Sequence, residues 1–407
     1  MVYIVAFTYL YPISVHIFPV STDIVLHAVS IAYLILFKRC VFSVDHYRLS
    51  VLSITIIILS IFFTTINGAF DFSLVKKFIA SLLFIPSSIF VVDLIKKVIP
   101  DFSEITILEW IVYVTLGQAI ISLLLFVQPV LMDAWLSIMK LTDAGETIAS
   151  GSANYRLIAF AKYQFANMAV MYGVALLCMI TIAFSEKSTF YNNHKLMYFV
   201  TLLLICIAGI LSARTFFVIL LIAILYTSFL LWKKKGFRAI FYVGFLCFLI
   251  ILVGTVIIST MEGSEYARTY QWMFEWLINL QNYGELGTDS TSTLNSMYIY
   301  PTQIKTWLVG DGFFCNSDGT FYMSTDAGYI RSLFYWGIIG SVIYYVLQYM
   351  HFKIIYRISY NKIMRYFAGI LIFWLFVYNI KDMWQANMYW PLLLSAVKSS
   401  SYKEVMT

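Results

Sequence analysis

Arg214 sits in Ile210-Leu211-Ser212-Ala213-Arg214-Thr215-Phe216, between two long apolar runs with almost no polar loop around it. A charge in such a place is unfavourable, and its retention points to function. The alternative is an arginine that snorkels to headgroup phosphates. Other basic residues border the long polar stretches. Arg156 and Lys162 close the first stretch, Arg268 opens the second, and Arg331 closes it. Lys76 and Lys77 join them if the third apolar run is a span. Cations converging on one mouth of a helix bundle suit a pyrophosphate, and the planar fork of arginine pairs phosphate oxygens bidentately.

Carboxylates lie in the same stretch. Gly310-Asp311-Gly312 reads as a sharp turn, because glycine takes positive φ at little cost. Asp326, in Thr325-Asp326-Ala327-Gly328-Tyr329-Ile330-Arg331, lies five residues before Arg331 and at the start of the next apolar run. A carboxylate there could take a proton from an attacking hydroxyl, or it could cap the helix that follows. Asp326 is the first candidate base and Asp311 the second.

The elements that must hold these residues are membrane spans. Of the 407 residues, 61% are hydrophobic and 12% charged, where a soluble domain carries about 25% charged residues. Mean hydropathy is +0.84. The chain is expected to be an all-α, polytopic integral membrane protein forming one domain over 1–407. A span needs roughly 20 apolar residues, and candidate runs are 2–20, 23–37, 49–67, 78–95, 105–128, 164–184, 196–212, 215–232, 239–260, 329–350, 363–380 and 384–398. With these twelve spans, the lysines and arginines at 38–48, 96–97, 187–195, 233–238 and 353–365 all fall on one side. That side is the cytoplasm, and both termini lie there.

The opposite face receives two longer loops, 129–163 and 261–328. The larger holds eight acidic residues against Arg268 and Lys305, so its basic residues are the anomalies. Tyr266, Tyr270, Met273, Trp276, Leu277 and Leu280 recur at helical spacing and predict an amphipathic helix. It would act as a packed cap over the spans or as a lipid- or sugar-binding surface. The five cysteines and five histidines are scattered, without metal-ligand spacing or a disulfide framework. The sequence has no P-loop, no dinucleotide fingerprint and no DxD-like pair in a cytoplasmic loop. No cofactor or metal is expected.

Gly310-Asp311-Gly312-Phe313, Thr325–Arg331 and Gly337-Ile338-Ile339-Gly340 together resemble bacterial O-antigen (repeat-unit) polymerases of the Wzy type. The Ser212-x-Arg214 turn resembles the wider polymerase/ligase superfamily. The motifs cover about thirty residues, and the expected topology resembles the family over most of the chain. The Arg-x10-Gly loop motifs described for some polymerases are absent, since positions 167 and 279 are both Asn.

The resemblance implies a GT-C-like glycosyltransferase of the inner membrane whose loops 129–163 and 261–328 are periplasmic. It would polymerise repeat units carried on undecaprenyl pyrophosphate, passing the growing glycan to the non-reducing end of a new lipid-linked unit. It implies Arg214 and Arg331 on the pyrophosphate, Arg156 and Arg268 as lesser candidates, and no metal. The implied partners are undecaprenyl-pyrophosphate-linked oligosaccharide, membrane lipid and a chain-length-regulating co-polymerase of the Wzz type, with no nucleic acid.

Rival readings differ in what they require. The related ligases join finished polymer to lipid A core and carry a histidine in the large loop, whereas residues 261–328 contain none. A lipid-linked sugar flippase should show paired halves and charges along the middle of its spans. Here Asp93 is a rare intramembrane charge. A structural scaffold would not need the aromatic and polar richness of the second loop.

Overall fold

The computed structural model describes residues 1–37, 42–141, 151–152, 155–236, 267–383 and 386–404. The expected span at 239–260 and Tyr266 lie outside the described residues. Helices dominate, and among the described residues there are two isolated bridge pairs and no strand. In chain order the helices are Val2–Leu10 (α1), Thr22–Phe37 (α2), Val44–Ile66 (α3), Ser73–Leu82 (α4), Phe84–Val98 (α5) and Glu104–Val127 (α6). Pro129–Ile138 (α7), Phe165–Ala183 (α8), Thr189–Asn193 (α9), Lys195–Ser212 (α10) and Thr215–Lys235 (α11) follow. The remainder are Ala267–Tyr283 (α12), Asp289–Ser296 (α13), Ile304–Val309 (α14), Gly328–Ile358 (α15), Lys362–Tyr378 (α16) and Tyr389–Glu404 (α17).

Among the described residues, seven helical segments are long and apolar enough to cross a membrane: α3, the 73–98 segment formed by α4 and α5, α6, α8, α10, most of α11, and α15. Each covers an expected apolar run. Other runs form shorter helices. The run at 2–20 yields only the nine residues of α1, about 14 Å at 1.5 Å per residue, against a hydrocarbon core of roughly 30 Å. Pro12 and Pro19 lie in the rest of that run, where a missing N–H and a fixed φ oppose helix continuation. The runs at 23–37 and 363–380 give 16 and 17 helical residues. In the last run, positions 384–385 lie outside the described residues and the helix spans Tyr389–Glu404.

The chain forms two compact units, Met1–Leu26 with Leu108–Leu286, and His27–Ile107 with Gly287–Thr407. In the first unit α8 is apolar on every side and buried along most of its length, as expected of a helix surrounded by others. Helices α10 and α11 pack against it. The expected amphipathic helix is present as α12. Tyr270 and Leu277 are buried, with Phe274, Trp276 and Ile278 packed beside them. The rings of Phe274 and Trp276 lie 5.9 and 5.7 Å from that of Phe217 at the start of α11, so this face is used for packing.

In the second unit α15 packs on α3, and Ile56 and Phe63 of α3, Phe78 of α4, Phe314, and Tyr335, Trp336 and Tyr344 of α15 form one shared core. The buried Tyr335 hydroxyl shares a 2.6 Å hydrogen bond with Thr64 Oγ1. Helix α15 is broken at Gly337, whose φ of +64° and ψ of −172° are not helical. The backbone of α14 and the turn after it lie against this break. A Cβ on Gly337 would stand 2.3 Å from the carbonyl carbon of Leu308, and one on Gly310 would stand 2.6 Å from the Tyr335 carbonyl oxygen. The N–H of Asp311 donates to the carbonyl of Phe334 at 2.6 Å, pairing one group in the interrupted helix. Two of the motifs singled out in the sequence are thus one structural joint.

Candidate functional site

Arg331 lies in the first turn of α15, and its side chain is 3% exposed. Its guanidinium carbon is 3.6 Å from the Phe321 ring centroid and 4.0 Å from that of Phe314. Nη1 donates to Asp382 Oδ1 at 2.8 Å. Nε and Nη2 are buried with no hydrogen-bond partner among the described residues. Buried guanidinium N–H groups normally find acceptors, so these two are spare donor capacity among the described residues. Lys77 of α4 reaches the same rings, its Nζ 4.6 Å from Phe314 and 5.9 Å from Phe321. Two cations therefore share one aromatic shelf.

Asp71 anchors that shelf. Its Oδ2 accepts the backbone N–H groups of Phe314 and Cys315 at 2.6 and 2.8 Å, and its Oδ1 accepts the N–H of Ser73 at 2.9 Å. Burial alone would raise the pKa of this carboxyl, but hydrogen bonds from Ser73, Cys315 and Phe314 to the charged form outweigh it and hold the value below the usual range. Gly328 explains how Asp382 comes so close to α15. A Cβ on Gly328 would be 2.6 Å from the Asp382 carbonyl carbon and 2.7 Å from the Asn379 oxygen. The N–H of Tyr329 donates to that Asn379 oxygen at 3.0 Å.

The two candidate bases have different surroundings. Asp311 is engaged in the turn: Thr306 donates to Oδ1 at 2.7 Å and Tyr322 to Oδ2 at 3.3 Å. Asp326 does not cap the helix. The capping position of α15 falls on Ala327, and no side-chain cap is made. Burial, followed by the nearby Asp382 charge, pushes the Asp326 carboxyl above its ordinary value, while Lys381 and Arg331 pull the other way. A half-buried carboxylate with a raised pKa is suited to accept a proton.

The other expected arginines gather in the first unit. Arg214 precedes α11 and pairs through Nη1 with Glu275 of α12. Its guanidinium is 5.3 Å from the Trp272 ring, and that of Arg156 is 4.9 Å from the same ring and 4.4 Å from Phe165. Nη2 of Arg156 donates to the Ser212 carbonyl at 3.2 Å. Nε of each arginine is buried without a hydrogen-bond partner among the described residues. Burial, and secondarily the Arg214 charge opposed by Tyr155, draws Arg156 down to about 10, so it remains a cation at neutral pH. Arg268 lies on Tyr155 at 4.6 Å, and the Tyr155 ring is 5.9 Å from Trp272. Lys162 pairs instead with Asp23.

Arg156, Arg214 and Arg268 thus meet around Tyr155 and Trp272, whereas Arg331, Asp326 and Asp311 belong to the other unit. Sequence reasoning missed Asp71, Asp382, Phe314, Phe321, Trp272 and Glu275 as participants. Asp382 carried a usable signal, since it directly follows an apolar run and stands on the side expected for Arg331. No protein-family model, curated protein or solved structure matches the chain.

Proposed function

We propose that the protein polymerises oligosaccharide repeat units carried on undecaprenyl pyrophosphate. In this reading it is a GT-C-like glycosyltransferase of the bacterial inner membrane with about twelve spans and cytoplasmic termini. The polar ends around Arg331 and Arg214 face the periplasm. The observation that carries the reading is Arg331, buried on the Phe314–Phe321 shelf beside Lys77, with two N–H groups that have no partner among the described residues and with its charge acting on Asp326.

In the reaction, the acceptor hydroxyl oxygen attacks the anomeric carbon of the donor glycan. The bond from that carbon to the pyrophosphate oxygen breaks, and the electron pair leaves with undecaprenyl pyrophosphate. The hydroxyl proton passes to the Asp326 carboxylate. Arg331 and Lys77 offset the charge on the leaving group, as preorganised electrostatic stabilisation requires. Donor and acceptor each carry a pyrophosphate, and the Arg156–Arg214–Arg268 cluster supplies a second cationic group of the same chemistry. The chain-length-regulating co-polymerase remains the proposed protein partner.

The experiment is deletion of the gene and complementation with plasmid-borne variants, read as a lipopolysaccharide ladder on a gel. The proposal expects the null strain to show lipid A core bearing one repeat unit, and the intact gene to restore long chains. A null strain with bare core would assign the ligase activity instead. An unchanged ladder would overturn both readings.

A further inference from the structure

A groove of about 670 Å³ lies between α3 and α15 in the second unit, at the end of these helices away from Arg331. Its chemistry is layered. Arg48, from the start of α3, and Lys353 and Arg357, from the end of α15, line one end together with Asp45. One to two helical turns further in, the lining becomes Val51, Leu52, Val346, Tyr349 and Met350. Val51, Val346, Tyr349 and Met350 are all more than 40% exposed, although they are apolar or aromatic.

The charge at the mouth is not balanced. Asp45 already pairs with Arg48 at 3.0 Å and with Lys398 at 2.5 Å. That leaves Lys353 and Arg357 without an acidic partner within the lining. These residues also belong to the basic group that the positive-inside pattern assigns to the cytoplasm. A phosphodiester at the mouth would meet cations, and acyl chains running inward would cover the apolar floor. Basic pockets between spans at this level have the chemistry of an anionic headgroup site.

We infer that this groove binds an anionic glycerophospholipid, with its headgroup phosphate on Arg48, Lys353 and Arg357 and an acyl chain along Val51, Val346 and Met350. The site is separate from the Arg331 shelf and does not depend on the proposed polymerase activity.

The test is native mass spectrometry of the purified full chain in detergent, titrated with phosphatidylglycerol or phosphatidylcholine at equal concentration. Phosphatidylglycerol adducts are expected to dominate. Each neutralisation in the series R48Q, K353Q and R357Q is expected to weaken adduct formation about fivefold. Met350→Trp, which fills the floor and leaves the charges in place, is expected to weaken it too. K233Q/K234Q, which removes basic charge at the end of α11, is expected to leave it unchanged. Equal retention of the two lipids would overturn the inference, as would equal losses in K233Q/K234Q and K353Q/R357Q. Indifference to Met350→Trp combined with competition by inorganic phosphate would reassign the groove to a free anion and overturn the lipid site.

Discussion

The guanidinium of Arg331 lies 3.6 Å from the centre of the Phe321 ring, and that contact defines what the residue can do. The ring covers part of the cation, and the side chain as a whole is buried away from water. Asp382 occupies Nη1, and Nε and Nη2 have no partner among the described residues. A cation held in this way loses little on meeting an anion, because its desolvation has already occurred.

If the chain polymerises repeat units as proposed, Arg331→Ala should remove one charge-assisted contact of about 1.5–3 kcal/mol, a ten- to hundredfold loss in chain-elongation rate. Arg331→Lys should recover only part of it, because an ammonium cannot pair two oxygens in one plane. Long-chain polymer from purified protein and lipid-linked repeat units measures both. Equal activity of the alanine and parent proteins would remove Arg331 from the mechanism.

Asp326→Asn separates the proposed role as base from any role in folding. The raised carboxyl means that the folded state binds this proton more tightly than the unfolded chain does. Its contribution to stability is therefore full below the unfolded value and is lost as pH rises through the folded one. Where the side chain is ionised it is unfavourable to folding, and the neutral amide should be no less stable. Elongation should nevertheless fall by about 10²–10⁴, the usual worth of a general base. In the parent protein the acidic limb of the rate–pH profile should lie above the ordinary aspartate range and should vanish in the variant. A variant with normal elongation and an unchanged limb would exclude Asp326 as the base.

The apolar runs that became α3, α6, α8, α10, α11 and α15 were legible because burial in lipid or protein requires long uninterrupted hydrophobicity, which a linear sequence displays. The Gly310-Asp311-Gly312 turn was legible for a similar reason, since Gly310 and Gly312 have φ of +71° and +76°. The helix break at Gly337 was not legible. Nothing in Trp336-Gly337-Ile338 reveals that the α14 backbone will press against it, and that contact joins residues nearly thirty positions apart. The aromatic shelf was hidden for the same reason. Phe314 and Phe321 are ordinary members of an aromatic-rich loop until Asp71, more than 240 residues away, fixes the backbone beneath them.

Gly337→Ala should be among the most damaging small substitutions in the chain. It combines a left-handed φ, costing a non-glycine residue about 1–3 kcal/mol, with a Cβ only 2.3 Å from the Leu308 backbone. The neighbour is main chain and cannot rotate away. Gly369→Ala, where a Cβ meets nothing within 4 Å, is the matched control and should be neutral or slightly stabilising. Thermal melting in detergent measures both, and equal melting temperatures would show that the α14–α15 joint is not rigid.

Asp71→Asn should loosen the shelf without touching Arg331 itself. The amide oxygen can replace only part of the acceptor capacity now used by Phe314, Cys315 and Ser73, and loss of charge assistance should destabilise the unit by about 1–2 kcal/mol. The pKa of Asp71 is depressed in the folded state, so its contribution is present above the unfolded value and disappears as pH falls through the folded one. The parent should therefore lose stability on acidification below about pH 4, and the variant should lose less over that window. Identical acid profiles would show that Asp71 does not hold the shelf.

Trp272→Ala tests whether the first-unit arginines act together. The indole is the common neighbour of Arg156 and Arg214, at 4.9 and 5.3 Å, while Glu275 on the same helix holds Arg214 by an ion pair. Removing the ring deletes two cation–π contacts of about 0.5–2 kcal/mol each and lets both side chains move. If the cluster holds one lipid-linked substrate, Trp272→Ala should raise the apparent KM for that substrate and leave the KM for the other near its parent value. Arg214→Ala should raise the same KM, and combining it with Trp272→Ala should cost less than the sum of the two, because both act on one bound group. A purely structural role would instead lower the amount of folded protein and leave both KM values unchanged.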